Sequence, residues 1–263
     1  MFNRSKTAVV LGCGPAGMFA THALVEAGWS VAIWSKNRKS HMYGAQYLHQ
    51  PIPGLPERNR TIDYRIQGSL EGYAHKVYGG TLQPDRVSPS TLTGKHLAWD
   101  IRAAYDSAWE RYSDRVVEFD IDAATLRETL AAVRPRLCIS TVPAPLLCLG
   151  GDVYQHQFFA QKVWAIGDAP EAGQLVPFAC PGDTVICNGE REVGWYRKSN
   201  VFDRTTVEWP EGSRPPIDGV AEVQKPISTN CDCMPGVYRT GRYGRWQKGV
   251  LSHEAYFEVR ELL

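Results

Sequence analysis

The N-terminal segment carries the clearest pattern of apolar and polar positions in the chain. Residues 7–11 form a short β-branched apolar run, which predicts a buried strand. A glycine-rich stretch follows at once, and residues 18–27 then place apolar side chains at helical spacing. Gly28 stands where a helix commonly ends, and the apolar run over residues 29–34 predicts a second strand. Strand, glycine turn, helix and strand within about 30 residues indicate a βαβ unit.

Further along, the pattern predicts a second α/β region and then a β-rich region. The predicted helices cover residues 97–112, 123–133 and 249–262, and the predicted strands cover residues 115–119, 137–142 and 236–240. Between residues 155 and 226, β-branched and aromatic runs alternate with turns, which predicts an antiparallel sheet. The expected fold is therefore α/β. A Rossmann-like domain, a parallel sheet with helices, would comprise residues 1–145 and 234–263, and an inserted antiparallel β substrate domain would comprise residues 146–233.

Length and charge narrow the class of protein. The chain has 263 residues, of which 43% are hydrophobic, and a net charge of +1. The near-neutral charge predicts no extended surface for nucleic acid. No apolar run approaches the length of a membrane span, and the first apolar run is too short for a signal peptide. We expect a cytoplasmic protein with no membrane partner.

The seven cysteines predict free thiols. Their number is odd, and no CxxC pair occurs. The closest pair, Cys231 and Cys233, has a single intervening residue, which is a poor spacing for a zinc knuckle. Because the histidines and cysteines do not cluster along the sequence, no metal site is predicted.

Three glycines in the first βαβ unit predict a dinucleotide site. Gly12, Gly14 and Gly17 match the GxGxxG pattern between the predicted strand and helix. Gly12 would permit a tight turn, Gly14 the close approach of a pyrophosphate, and Gly17 close packing of the helix on the strand. The pyrophosphate would then lie at the helix N-terminus, where N–H groups and the helix dipole favour negative charge.

The residues at the end of the second predicted strand are compatible with either of two dinucleotides, FAD or NADP. Such units commonly place an acidic residue there to bind the ribose hydroxyls, with a cation nearby where NADP is bound. Here the strand ends in Ser35, followed by Lys36 and Arg38. A serine with neighbouring cations suits the 2′-phosphate of NADP, but Ser35 could also bond a ribose of FAD.

Two motifs resemble those of flavoproteins. The glycine turn, with Pro15 and Ala16, resembles the Gly-x-Gly-Pro-Ala-Gly form common in FAD-binding Rossmann proteins. Near the C-terminus, a strand, a turn at Gly241 and Arg242 and a helix resemble the end of the fold in the amine oxidase and UDP-galactopyranose mutase superfamily. The strand that ends at Val142 resembles the strand that these proteins place near FAD.

The resemblance implies a compact FAD-binding domain with FAD as the cofactor. A helix N-terminus near Val250 would face the pyrimidine edge of the flavin, which gains negative charge on reduction. The implied cofactor-binding residues are Gly12, Gly14, Pro15, Ala16, Gly17, Ser35, Lys36, Gln46, Val142, Gly241, Arg242, Gly249 and Val250.

Candidate catalytic residues come from an irregular segment and from the β-rich region. Residues 36–95 contain many Gly, Pro, Tyr and His residues, and long irregular loops in compact domains are commonly functional. Within them, Tyr47 and His49 could reach over the flavin, with His49 as an acid or base. Arg197 could hold a carboxylate or phosphate through two hydrogen bonds.

The resemblance implies an amine oxidase-like, FAD-dependent oxidoreductase. Its substrate would be a small amine or amino-acid-like group, free or carried on a nucleotide or DNA base. Oxygen or a separate protein would exchange electrons with the flavin, since the chain has no second glycine fingerprint. Three alternatives remain: a flavin-dependent mutase or lyase without net redox change, an NADP-dependent reductase, and a non-catalytic flavin or nucleotide sensor.

Overall fold

The chain folds around two β-sheets. The computed structural model describes residues 6–36, 38, 41–44, 46–78, 92–149, 156–167 and 180–263. The strands are β1 (Thr7–Leu11), β2 (Ser30–Ser35), β3 (Asn59–Gln67), β4 (Gly94–Trp99), β5 (Val116–Glu118), β6 (Leu137–Ser140), β7 (Phe158–Ile166), β8 (Thr184–Asn188), β9 (Arg197–Val201), β10 (Arg204–Pro210), β11 (Ala221–Thr229) and β12 (Val237–Arg239). The helices are α1 (Pro15–Glu26), α2 (Leu70–Tyr78), α3 (Ile101–Tyr112), α4 (Ala123–Val133), α5 (Gly241–Arg245) and α6 (Glu254–Leu262).

The first sheet is parallel and has the strand order β12-β6-β1-β2-β5. Its central strand, β1, pairs with β2 on one side and with β6 on the other. The last strand in the chain, β12, pairs with β6 at the edge of this sheet. The N-terminal βαβ unit and the C-terminal end of the chain therefore belong to one layer.

Helix α1 lies in the middle of the main core. Its residues 17–24 are buried all round, because the sheet, α3 and α6 each pack against it. Phe19 and Leu24 are fully buried among side chains that include Tyr105 of α3. The polar side chain of His22 is satisfied inside this core, because its ring nitrogens bond the hydroxyl of Tyr112 at 2.7 Å and the carbonyl of Pro53 at 2.8 Å.

The second sheet has the order β11-β7-β10-β9-β8-β3-β4. All of its pairs are antiparallel except that of β3 with β8. The division predicted at residue 145 therefore differs from the strand pairing in one respect: β3 and β4 lie before residue 145 but belong to this sheet. The second partner of β3, β8, lies more than 100 residues further along the sequence, a distance that local periodicity does not report.

Most predicted elements form with shifted ends. The segment 97–112, predicted to be one helix, is divided at Asp100: Leu97 to Trp99 belong to β4, and α3 begins after them. The carboxylate of Asp100 accepts hydrogen bonds from the backbone N–H groups of Arg102 and Ala103 and so caps α3. The last helix begins at Glu254 rather than at residue 249. Among the described helices, none is long and apolar enough to cross a membrane.

Candidate functional site

The glycine turn after β1 is tightly packed on its inner side. Gly12 has a φ of +96°, and its N–H donates to the carbonyl of Trp34 at 2.8 Å. A Cβ on Gly12 would lie 2.9 Å from Oγ1 of Thr141 and 3.0 Å from Cγ1 of Val142. A Cβ on Gly17 would overlap the carbonyl of Gly12. The structure thus requires glycine at both positions and brings Val142, one of the predicted cofactor-binding residues, beside the turn.

Gly14 differs from its two neighbours in the motif. It caps the N-terminus of α1 with a φ of −71°, and a Cβ there would meet no protein atom within 4 Å. Pro15 occupies the first helical position, where its missing N–H costs nothing. No acidic side chain lies in the first turn of α1, so its partial positive charge is not offset locally. The outer side of the turn fits a pyrophosphate, which needs both open space and a positive helix end.

The end of β2 is occupied by Ser35 as the sequence predicts, but its hydroxyl is engaged. Ser35 is buried, and its Oγ accepts a hydrogen bond from the N–H of Cys13 at 3.3 Å. Lys36 points to Asp120, with Nζ 2.9 Å from the carboxylate. Ser35 therefore braces the glycine turn, and Lys36 is paired with an acid.

Arg38 is the second cation that follows β2. Its guanidinium is 2.5 Å from the carboxylate of Asp106 and lies over the ring of Trp109, 4.9 Å from the centroid. The hydroxyl of Tyr105, on the same helix, donates to the carbonyl of Cys13 at 2.9 Å. Arg38 is thus held next to the glycine turn with its charge already balanced.

The C-terminal turn packs against the start of α1. Gly241 has a φ of +70°, and a Cβ on it would lie 2.7 Å from the Cβ of Ala16. Gly244, one helical turn later, fits against the carbonyl of Ser140 at the end of β6, where a Cβ would overlap it. The predicted cofactor residues Ala16 and Gly241 therefore come together, although 225 positions separate them in sequence.

The two residues predicted at the start of the last helix lie elsewhere. Gly249, with a φ of +89°, is exposed in the turn that follows α5, and Val250 is buried. The helix begins four residues after Val250, and its N-terminal cap is His253. The helix that directly follows the last strand is instead the short α5, whose N-terminal cap is Thr240.

A group of charges around the buried Glu208 lies under the irregular segment between β2 and β3. Glu208 of β10 pairs across the sheet with Arg197 of β9, and its carboxylate bonds both Nε of Arg197 and Nζ of Lys225. Lys225 also donates to the hydroxyl of Tyr196 at 2.9 Å. A Cβ on Gly44 would lie 3.1 Å from Nη2 of Arg197, so the irregular segment crosses directly above this group.

The charges in this group sum to an excess of positive charge. Burial alone would raise the pKa of Glu208, but Arg197 and Lys225 outweigh it and lower the pKa to about 2. Burial lowers the pKa of Lys225 against the attraction of Glu208. Arg242 lies close enough for its charge to act on the group, and its Nε has no hydrogen-bond partner among the described residues. With one carboxylate bonded to Arg197 and Lys225, and with Arg242 nearby, the group favours an anion.

The predicted catalytic residues Tyr47 and His49 lie together. Their rings stack with centroids 4.9 Å apart, and the Tyr47 hydroxyl donates to that of Tyr64 at 3.0 Å. Tyr47 lies close enough to Arg197 for the cation to act on its hydroxyl, although burial dominates and raises the pKa of Tyr47. His49 also stacks on His253, 5.9 Å away between centroids. The third member of the predicted set, Arg197, is thus near Tyr47 but committed to Glu208.

Gln46, predicted to contact the cofactor, makes a local bond in this structure. It is exposed, and its side-chain amide donates to the backbone carbonyl of Tyr43 at 2.7 Å. Sequence reasoning did not select Glu208 or Lys225, since neither belongs to a motif. The alternation of polar residues with Val207 and Trp209 in β10 was the only local signal, and it does not tell which polar side chain is buried.

Comparison with known proteins identifies the fold. No protein-family model and no curated protein matches the chain. A mutant of 2-methyl-3-hydroxypyridine-5-carboxylic acid oxygenase matches with a TM-score of 0.50 and 13% identity, over 97% of this chain and 86% of that chain. MibH, a lathipeptide tryptophan 5-halogenase, matches with a TM-score of 0.53 and 13% identity, over 98% and 66% of the two chains. A variant of Klebsiella pneumoniae HpxO complexed with FAD matches with a TM-score of 0.45, 13% identity and coverage of 97% and 85%.

The first two matches confirm the predicted fold class. Both extend over almost the whole of this chain, so the parallel sheet and the second sheet together form an arrangement that also occurs in an oxygenase and a halogenase. At 13% identity the likeness concerns the fold, and the chemistry must be argued from the residues. The narrower resemblance to amine oxidases stays a prediction.

Proposed function

We propose that this chain is an FAD-dependent oxidoreductase. The observation that carries the proposal is the contact between Gly241 and Ala16, because it sets the C-terminal turn against the first turn of the helix that follows the glycine motif. A dinucleotide whose pyrophosphate lies on that helix would have its reactive end near the residues that the second sheet contributes. Two parts of the chain would thus bind one extended cofactor.

FAD is favoured over NADP by the charges at the end of β2. Binding of a 2′-phosphate would need cations with charge to spare, but Lys36 is paired with Asp120 and Arg38 with Asp106. The two carboxylates would repel a phosphate placed near either cation. A ribose with free hydroxyls carries no charge and avoids this repulsion.

When bound, FAD supplies the electron transfer, and this chain supplies binding, orientation and charge. The N-terminus of α1 and the backbone at Gly14 would hold the pyrophosphate. Arg197 and Arg242 would face the reactive part of the site and hold an anion there, either a substrate carboxylate or negative charge on the ring. Tyr47, with its hydroxyl near this group, would orient the substrate.

The excess positive charge favours an anionic substrate over a plain amine. A protonated amine would be repelled by Arg197 and Arg242, whereas an amino acid could bind through its carboxylate. If the substrate is an amine, it is therefore best an amino acid, whose carboxylate these cations can bind. The oxygenase and halogenase of similar fold support a second candidate, in which the reduced flavin reacts with oxygen to modify an anionic substrate.

The absorption spectrum of the purified protein tests the cofactor. We expect a flavin spectrum, and FAD in the supernatant after denaturation, identified by its mass. Protein that stays colourless after incubation with FAD but binds NADPH would contradict the proposal.

Anaerobic mixing tests the type of reaction. Bleaching of the flavin by an amino acid alone would support amine oxidation. Product formed only with a supplied reductant and oxygen would support the oxygenase type. Activity of the pre-reduced enzyme without net electron transfer would instead support a mutase or lyase.

A further inference from the structure

A cluster of three cysteines and one histidine lies far from the glycine turn in sequence and at the junction of the two sheets in space. Its members are Cys148, His156, Cys231 and Cys233, and one ligand atom of each lies within 4.8 Å of the ligand atoms of all the others. The expectation of no metal site was based on their spacing along the chain. That expectation does not hold in the folded chain, because the four side chains converge from three separate segments.

The three segments come from both sheets. Cys148 follows β6, through a short turn in which its N–H bonds the carbonyl of Pro145. His156 lies two residues before β7, and Cys231 and Cys233 lie between β11 and β12. Since β6 and β12 belong to the parallel sheet and β7 and β11 to the second sheet, the cluster joins the edges of the two.

Hydrogen bonds hold the segments in place around the cluster. The register of β7 and β11 pairs Phe158 with Thr229, which brings the residues beyond each strand end together. There the hydroxyl of Thr229 donates to the carbonyl of Gln157 at 2.7 Å, and the N–H of Gln157 donates to the side chain of Asn230 at 2.7 Å. The N–H of Cys231 donates to the hydroxyl of Thr229 at 3.0 Å. The hydrogen bonds of Thr229 and Asn230 therefore hold the backbone next to His156 and at Cys231 in place.

Arg239 braces the two-cysteine loop from the side of the parallel sheet. Its guanidinium donates to the carbonyl of Cys231 at 2.7 Å and to that of Cys233 at 2.6 Å. Three thiolates, a neutral imidazole and a divalent cation would carry one net negative charge. The guanidinium beside them offsets that charge, so the surroundings match the charge of an occupied site.

The distances suit a tetrahedral thiolate site. With Zn–S bonds of about 2.3 Å, neighbouring ligand atoms of a tetrahedron lie about 3.8 Å apart. The sulfur of Cys233 lies 3.9 Å from the ring nitrogens of His156. The cysteines are free thiols in the structure rather than disulfides. Soft sulfur ligands with one imidazole select zinc among the common divalent ions.

We propose that Cys148, His156, Cys231 and Cys233 bind one zinc ion, which holds the edges of the two sheets together. Four protein ligands leave no open coordination position, so the role of the ion is structural and not catalytic. Because the ligands come from both sheets, the free energy of metal binding stabilises the junction between them.

The test is the metal content of the full chain purified from zinc-supplemented culture. Elemental analysis is expected to find about one zinc per chain. The double variant Cys231→Ser, Cys233→Ser should lose it. Cys180→Ser is the matched control, because Cys180 is also partly buried and free but lies outside the cluster; it should retain the zinc.

A measurement on the wild-type chain covers the case in which the double variant does not fold. Replacement of the metal by Co²⁺ should give the intense visible bands and the sulfur-to-metal charge-transfer band of tetrahedral thiolate coordination. Removal of zinc by a strong chelator should lower the unfolding temperature of the wild type and of Cys180→Ser.

Three results would overturn the proposal. They are wild-type protein without zinc and without thiolate-type cobalt bands, zinc that persists undiminished in the double variant, and a disulfide within the cluster found by mass spectrometry of the freshly purified chain. None of these measurements depends on flavin binding, so the zinc proposal stands or fails separately from the proposed function.

Discussion

Gly241, near the C-terminus, packs against Ala16 in the first turn of the first helix, so closely that a Cβ on the glycine would lie 2.7 Å from that of the alanine. This contact joins the two ends of the chain beside the glycine turn. It depends on β12 lying next to β6, which places Gly241 at the same edge of the sheet as the end of β1. Any cofactor that lies on α1 therefore has the C-terminal turn as a neighbour.

The contact predicts a specific loss of stability. Gly241→Ala introduces both a positive-φ strain and a clash with Ala16, and we expect it to lower the free energy of unfolding by roughly 2–4 kcal/mol. Gly219→Ala is the control, since Gly219 has a φ of +77° and a Cβ there would meet nothing within 4 Å; about 1 kcal/mol of strain should remain. Urea unfolding measures both.

The clash itself is separable from the strain. Adding Ala16→Gly to Gly241→Ala removes the overlapping methyl group and should recover part of the loss in a double-mutant cycle. If Gly241→Ala costs no more than Gly219→Ala, the two ends of the chain are not in the contact described.

Substitution of Gly14 should weaken the binding of FAD without unfolding the protein. Its φ is compatible with an L-residue and its Cβ direction is open, so Gly14→Val should leave the fold intact and cost only about 1 kcal/mol for valine at the helix N-cap. The new side chain would keep a pyrophosphate away from the helix end, and we expect the affinity for FAD to fall more than about tenfold. Gly212→Val, at another open glycine, should bind FAD normally. Equal FAD affinity in both variants would argue against the glycine turn as the pyrophosphate site.

Removal of the buried negative charge of Glu208 should greatly lower the free energy of unfolding. Glu208→Gln leaves the partly buried cations Arg197 and Lys225 without their buried carboxylate, and we expect a loss of about 3 kcal/mol. The comparison is Glu222→Gln in β11 of the same sheet, where both partners of the pair with Lys162 are 44% exposed. That pair should contribute less than about 1 kcal/mol. Similar costs in chemical unfolding would contradict the buried ion pair.

The buried ring of His253 should make the protein less stable as the pH falls. Burial, assisted by His49, lowers its pKa from 6.5 to about 4. The unfolded chain therefore takes up a proton at a pH where the folded chain does not. The stability is fully present above pH 6.5, and falls as the pH drops towards about 4. The loss reaches up to about 3 kcal/mol for a shift of this size.

A ring without a titrating group should remove this dependence. His253→Phe is expected to flatten the fall in unfolding temperature between pH 6.5 and about 4. His75→Phe, at an exposed position of α2, is the matched control and should keep the wild-type slope. The pKa of Glu208 is lowered from 4.5 to about 2, so the loss of stability from this group begins near pH 4.5 and overlaps only the acidic end of this range. Identical slopes for His253→Phe and wild type would assign the effect to other groups.

The elements formed by local pattern were predictable. The β-branched run before Gly12, the glycine spacing and the apolar spacing of α1 are all properties of adjacent residues, so the βαβ unit follows from them. The end of β2 at Ser35 and the whole of α4 agree between pattern and structure. The break at Asp100 was missed because the capping bonds of that side chain compete with the helical pattern on both sides.

The buried charges and the cysteine cluster were not predictable in the same way. Glu208 meets Arg197 only because β10 turns back on β9, and it meets Lys225 only through the order of strands in the sheet. Cys148 reaches Cys231 across 83 positions of sequence, through strands that pair within two different sheets. Local spacing carries no information on such contacts.

The sequence by itself determined the glycine turn at a helix N-terminus, where we propose that a dinucleotide's phosphates lie, since such a turn depends only on adjacent residues. Only the tertiary structure decided what surrounds that turn: Gly241 on Ala16, carboxylates on Lys36 and Arg38, and a positive group under the irregular segment. The physical reason is strand pairing over long distances in the chain, which brings together residues whose spacing in sequence has no regular relation to their separation in space.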